Sequence, residues 1–229
     1  MLLYANGCSM TMGAELPDAA ACAYPSLLAK RFGLKLFNNA QGGSSNCRIL
    51  RTSIQWVCEY LGDGGRPEDL FVLIGWSGPD RREIAFSAEE LSDGDVFWRS
   101  LHIHHALDGA PADFVQLRKL IIRSFWCDRE SMTRFLIAVQ SLQGFLASRS
   151  IRFCFCHAMP VCELHPELVP LVRNVNRDSF FEFMSSSMDF LTYCTQACLP
   201  KGALQHPLQE GHELWAGLLA DFISDKRLL

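Results

Sequence analysis

The sequence lacks any apolar run of membrane-spanning length, so no helix crossing a bilayer and no membrane partner are expected. It also lacks a surplus of either charge. With 21 basic and 25 acidic residues spread along the chain, a net charge of −4, it offers no basic face for a polyanion, and nucleic acid is not expected as a partner. No basic segment precedes the first apolar run and no small-residue cleavage site follows it, which predicts no secretory signal and a cytoplasmic location. Absent too are paired Cys-X-X-Cys spacings, the P-loop Gly-Lys-Ser/Thr pattern and the dinucleotide Gly-X-Gly-X-X-Gly pattern. Neither metal nor organic cofactor is therefore expected. The groups Cys156, His157, Cys162, His165 and His102, His104, His105 match no recognised zinc spacing.

Cysteine is plentiful, at ten residues, and in a chain without an export signal this predicts reduced thiols. Cys154 and Cys156 read as core residues of a strand. The 229 residues, 49% of them apolar, suffice for one continuous core, and with no linker or repeat the expectation is a single domain over 1–229. Strand patterns at 2–5, 34–37, 70–75 and 151–157 alternate with helical patterns at 25–32, 45–61, 113–148 (broken near 127–128) and 210–223. The continuous apolar run Leu70-Phe-Val-Leu-Ile-Gly75 has the composition of a central parallel strand. This alternation predicts an α/β fold of three layers, α/β/α, with a mostly parallel sheet.

Chemistry concentrates where strands end. The first strand passes into Asn6-Gly7-Cys8-Ser9, placing a serine hydroxyl at the carboxyl edge of the sheet; the alternative is a serine capping the next helix. Far along the chain, His206-Pro207 supplies a candidate base, the alternative being a turn histidine. His212 reads as structural. Gly42-Gly43-Ser44-Ser45-Asn46 opens a helix that carries Arg48 and Arg51, either of which could meet an acidic substrate group or stand solvated. The long polar stretch 78–112 contains Asp80-Arg81-Arg82-Glu83, either a solvated face or, beyond a buried strand, part of the ligand crevice. Ser77 in Gly75-Trp-Ser-Gly78 is a weaker rival nucleophile, since Pro79 stands where the elbow wants glycine.

Four blocks in this order resemble the SGNH hydrolase superfamily of GDSL-like esterases and lipases: Gly7-Cys8-Ser9, Asn38-Asn-Ala-Gln-Gly-Gly43, Ile74-Gly-Trp-Ser77 and His206-Pro-Leu-Gln-Glu-Gly-His212. The resemblance implies a flavodoxin-like SGNH fold and a hydrolase for an ester or thioester, a small acyl group on a polar carrier. It implies Ser9 as nucleophile, His206 as general base, and the Ser9 and Gly43 amides as oxyanion donors, with Ser77, Asn46, Arg48, Asp80 and Arg81 as further oxyanion or substrate-binding candidates. Three positions depart from the family pattern. Cys8 replaces its Asp, Ser77 stands for the third-block Asn, and Ala203 occupies the place of the triad Asp. Either a backbone carbonyl near 200–203 or another carboxylate, such as Glu210, replaces the missing acid, or the enzyme is slow. Interception of the acyl-enzyme by another acceptor, making an acyltransferase, and an inactive binding module are the alternatives.

Overall fold

The computed structural model describes residues 1–87, 96–102 and 112–229, the side chains at 86, 87, 96 and 97 excepted. In chain order the elements are β1 (Leu2–Gly7), α1 (Ser9–Met12), α2 (Ala19–Cys22), α3 (Tyr24–Phe32), β2 (Lys35–Asn38), α4 (Asn46–Gly62), β3 (Leu70–Trp76), β4 (Arg82–Ser87), β5 (Val96–Leu101), α5 (Ala112–Ser124), α6 (Asp128–Ala147), β6 (Arg152–His157), α7 (Val169–Arg173), α8 (Phe190–Gln196) and α9 (Gln209–Asp225). The central sheet runs β2-β1-β3-β6, with every pairing parallel.

All seven residues of β3 are buried, as its unbroken apolar run requires of a strand covered on both faces. The pleat sends alternate side chains to opposite sides. Tyr4, Val72, Ile74 and Phe155 enter one apolar cluster with residues of α4 and α6, whereas Leu3, Ala5, Leu73 and Cys154 enter another with α3 and α9. These are the three expected layers. Local signals set the helix ends: Pro25 stands in the first turn of α3, and Gly33, at φ 65°, closes it in the left-handed conformation. Ser45 caps α4, its hydroxyl accepting the Arg48 N–H at 3.2 Å.

The chain leaves β1 toward β2 on one side and β3 toward β6 on the other. The carboxyl ends of β1 and β3 therefore border a topological switch point, where open α/β sheets form their crevice. Beyond β3 the structure corrects one expectation. Part of the stretch 78–112 is an antiparallel hairpin, β4 paired with β5, instead of a long polar connection. The Arg82 and Glu83 charges do not form a solvated face either. Arg51 of α4 forks onto Glu83 at 2.9 and 3.1 Å, with the Glu83 side chain only 3% exposed, and Arg82 pairs with Glu130 of α6. His104 and His105 lie outside the described residues.

Candidate active site

Ser9 opens α1 directly after β1 and is 8% exposed. A Cβ on Gly7 would stand 2.1 Å from Thr11 Oγ1, so glycine there is what lets α1 fold back closely against the strand end. As the first helical residue, Ser9 has an N–H with no intrahelical acceptor. Ser9 lines a cavity of about 580 Å³ together with Gly42, Gly43, Arg81, His102 and His206. Gly43 adopts φ 75°, and a Cβ on it would meet His102 Nε2 at 3.2 Å; both constraints favour glycine.

His206 is held by a tight loop. The Gly202 N–H donates to His206 O at 2.9 Å, and Lys201 bridges to Pro207. Its ring Nδ1 lies 2.8 Å from Oε2 of Glu15. The partner expected near 200–203 or at Glu210 is thus corrected: the carboxylate comes from the loop after α1, and Glu210 is exposed in the first turn of α9.

Glu15 is committed to this loop by more than one contact. Its carboxylate accepts the Leu204 N–H at 2.9 and 3.0 Å and the His206 N–H at 3.2 Å. The Leu204 amide, with the His206 contacts behind it, lowers the Glu15 pKa below the ordinary glutamate value. An ionised carboxylate only accepts, so Nδ1 carries the proton, and in the neutral imidazole Nε2 then keeps its lone pair. Gly202 makes the contact sterically feasible, since a Cβ there would lie 2.5 Å from Glu15 Cδ. Both side chains are mostly shielded, His206 at 14% and Glu15 at 18% exposure. In the sequence Glu15 follows Gly13, the left-handed cap of α1, which turns the chain back beside Ser9; that glycine was the available signal.

The other candidates are distributed differently. Asn46 and Ser77 are bound to each other: the Asn46 side chain accepts the Ser77 N–H at 2.8 Å and donates to the Ser77 carbonyl at 2.9 Å. Ser77 is fully buried, with its hydroxyl 3.9 Å from Met159 Sδ. Neither lines the Ser9 cavity; the pair fastens the end of β3 to the start of α4. Arg48 donates to Ser44 Oγ and the Asn39 carbonyl, bracing the glycine turn from behind. Asp80 lines an adjoining cavity of about 380 Å³, and Arg81 and His102 line both. Of the further candidates, then, only Arg81 reaches the cavity of Ser9, His206 and Gly43.

Cys8, beside Ser9, is buried within the apolar cluster under α3 and α9, where it fills space. Burial also pushes the Cys156 thiol up to about 12. His212 is structural, as expected. Its Nδ1 accepts the Tyr24 N–H at 3.1 Å, and burial lowers its pKa to about 4. Among the described residues no cluster of His, Cys, Asp and Glu converges in a way that could hold a metal ion.

A family model described as Family of unknown function (DUF6071) matches residues 14–229. The chain belongs to this family. The match takes in Glu15, Gly43 and His206 of the DUF6071 chain and begins after Ser9. No curated protein matches it. Among solved structures, it is similar to a lipolytic protein of the G-D-S-L family from Veillonella parvula, with 11% identity, 98% of each chain covered and a TM-score of 0.53. It is similar as well to a psychrotrophic esterase from Pseudoalteromonas sp., inhibited by monoethylphosphonate, with 12% identity, 98% of this chain and 97% of that one covered, and a TM-score of 0.50. A family two carbohydrate esterase from Clostridium thermocellum, in complex with cellohexaose, gives 13% identity, 100% and 65% coverage and a TM-score of 0.51. At such identities the likeness establishes the fold alone: an α/β fold with a mostly parallel central sheet, shared with these structures.

Proposed function

We propose that this chain is a serine hydrolase that cleaves an ester or thioester through a Ser9 acyl-enzyme, with His206 as general base and Glu15 as the acid that orients it. The observation that carries the reading is the 2.8 Å contact between Glu15 and His206 Nδ1, at the wall of the cavity that Ser9 lines. A serine hydroxyl is a poor nucleophile until an imidazole removes its proton. The imidazole in turn needs its bare nitrogen facing the serine, and an ionised carboxylate at Nδ1 holds that tautomer while stabilising the cation formed during attack.

The oxyanion of the tetrahedral intermediate would be received by the Ser9 and Gly43 amides. Ser77 contributes no hydroxyl to this hole, because its place in the reading is to hold the β3 end through Asn46. The mostly apolar wall of Met10, Met12, Met159, Leu191 and Leu204 suits a small acyl group. Water is the expected acceptor of the acyl group, with an alcohol or amine acceptor as the alternative outcome of product analysis. The fold likeness to esterases, one of them inhibited by a phosphonate, supports the choice of probe.

The test is labelling by an uncharged fluorophosphonate, with the adduct located by peptide mass spectrometry. The expected result is a single adduct on Ser9, absent in Ser9→Ala and slowed by orders of magnitude in His206→Ala. A folded wild-type protein that takes no label at Ser9 overturns the reading and leaves a binding module.

A further inference from the structure

We infer that Arg81 is an anion receptor in this cavity, and that the ester cleaved carries a carboxylate beside its scissile bond. The inference rests on the hydrolase reading above and adds the substrate's charge. Arg81 follows β3 through the turn Ser77-Gly78-Pro79-Asp80, in which its own N–H donates to Gly78 O at 3.2 Å. This turn brings the guanidinium to the wall shared by the Ser9 cavity and its neighbour.

Two facts single it out. Arg81 is only 6% exposed, and its Nη1 is buried without a hydrogen-bond partner. Arg82 Nε and Arg134 Nη2 are also buried without a hydrogen bond, but these arginines, like Arg51, have a carboxylate partner: Glu83 for Arg51, and Glu130 for both Arg82 and Arg134. No ion pair to Arg81 occurs among the described residues, although Asp80 and Asp128 line the adjoining cavity with it.

A buried guanidinium without a counter-charge is strongly disfavoured, and a protein keeps one where a ligand supplies the missing anion. The Ser9 cavity has that character. Among the described residues its lining carries no carboxylate, Arg81 is its one permanently charged side chain, and Met10, Met12, Met159, Leu191 and Leu204 supply much of the rest. The guanidinium fork matches a planar carboxylate through two parallel N–H donors, a geometry lysine cannot supply. A neutral ester would leave the charge as it stands, whereas an acidic one would be bound and oriented by it.

The test pairs acidic with neutral esters on both sides of the scissile bond: 4-nitrophenyl hemisuccinate against the butyrate, and 4-acetoxybenzoate against phenyl acetate. For the wild type, Arg81→Gln and Arg81→Lys, kcat/KM is measured on each, after circular dichroism has established that the variants fold. The expected result is that Arg81→Gln loses about a hundredfold more on one acidic ester than on its neutral counterpart, mainly through KM, with Arg81→Lys intermediate. Equal losses on acidic and neutral esters overturn the inference and assign Arg81 to the oxyanion or to packing. Phosphonate labelling at Ser9 is read in the same preparations. Label without charge discrimination sinks the anion receptor alone, whereas no label on folded wild type sinks the hydrolase reading and the inference with it.

Discussion

At the scale of single residues, the proposed acid comes from a part of the chain far from the last block. Ala203 stands where the SGNH pattern that the sequence resembles has Asp, and Glu210 is a near neighbour in sequence that does not reach His206. The carboxylate that meets His206 Nδ1 is instead that of Glu15, nearly the whole chain away in sequence from His206 but one turn beyond Ser9. The loop 201–207 folds around that carboxylate, and Gly202 is the residue whose lack of a side chain permits it. Gly202→Ala is therefore expected to displace Glu15 and lower esterase kcat by about tenfold or more, as misplaced catalytic groups do. Steady-state kinetics on the variant checks this. Wild-type turnover in Gly202→Ala would show that the close approach is dispensable.

At the scale of elements, most of the sheet and its covering helices was readable from local patterns. The apolar run of β3, the Pro and Gly that bracket α3 and the Ser45 cap of α4 are strong signals because each reflects a backbone requirement that few residues meet. The β4–β5 hairpin was not readable. The charges of β4, Arg82 and Glu83, stand side by side as on an exposed turn, and their partners Glu130 and Arg51 are supplied by distant helices. The same limit hid the pairing of Asn46 with Ser77: both lay in candidate blocks, but their engagement with each other depends on packing between α4 and β3. Asn46→Ala would strand the buried Ser77 N–H and carbonyl. It is expected to cost about 2–6 kcal/mol, one to three per unsatisfied group, measurable by urea denaturation. A loss below about 0.5 kcal/mol would show that the backbone finds other partners.

At the scale of the whole molecule, the two apolar layers place titratable histidines where water does not reach. Burial lowers the pKa of His157 to about 3 and that of His212 to about 4, against an ordinary value of 6.5. Both are neutral in the folded chain and take up protons on unfolding. Stability is therefore retained above the unfolded value and lost as pH falls from 6.5 toward these folded values, by about 1.4 kcal/mol per pH unit for each histidine. The Glu15 carboxyl, lowered by its amide contacts, adds a further loss of the same sign below its own ordinary value of 4.5. His212→Asn, which keeps an acceptor for the Tyr24 N–H, is expected to flatten the slope of unfolding free energy over the mildly acidic range. An unchanged slope would mean that His212 is protonated when folded.

The same molecule carries its proposed chemistry at the switch point of the sheet, where Ser9 and Gly43 meet a histidine and a carboxylate from opposite ends of the chain. The most direct measurement is the second-order rate of fluorophosphonate addition to Ser9 in wild type and in Glu15→Gln. A glutamine can donate to Nδ1 and so favour the wrong imidazole tautomer, and a fall of about 10³ to 10⁴-fold is predicted, with the protein still folded. Equal rates in the two proteins would contradict the account, since Glu15 would then not be the acid that makes His206 a base.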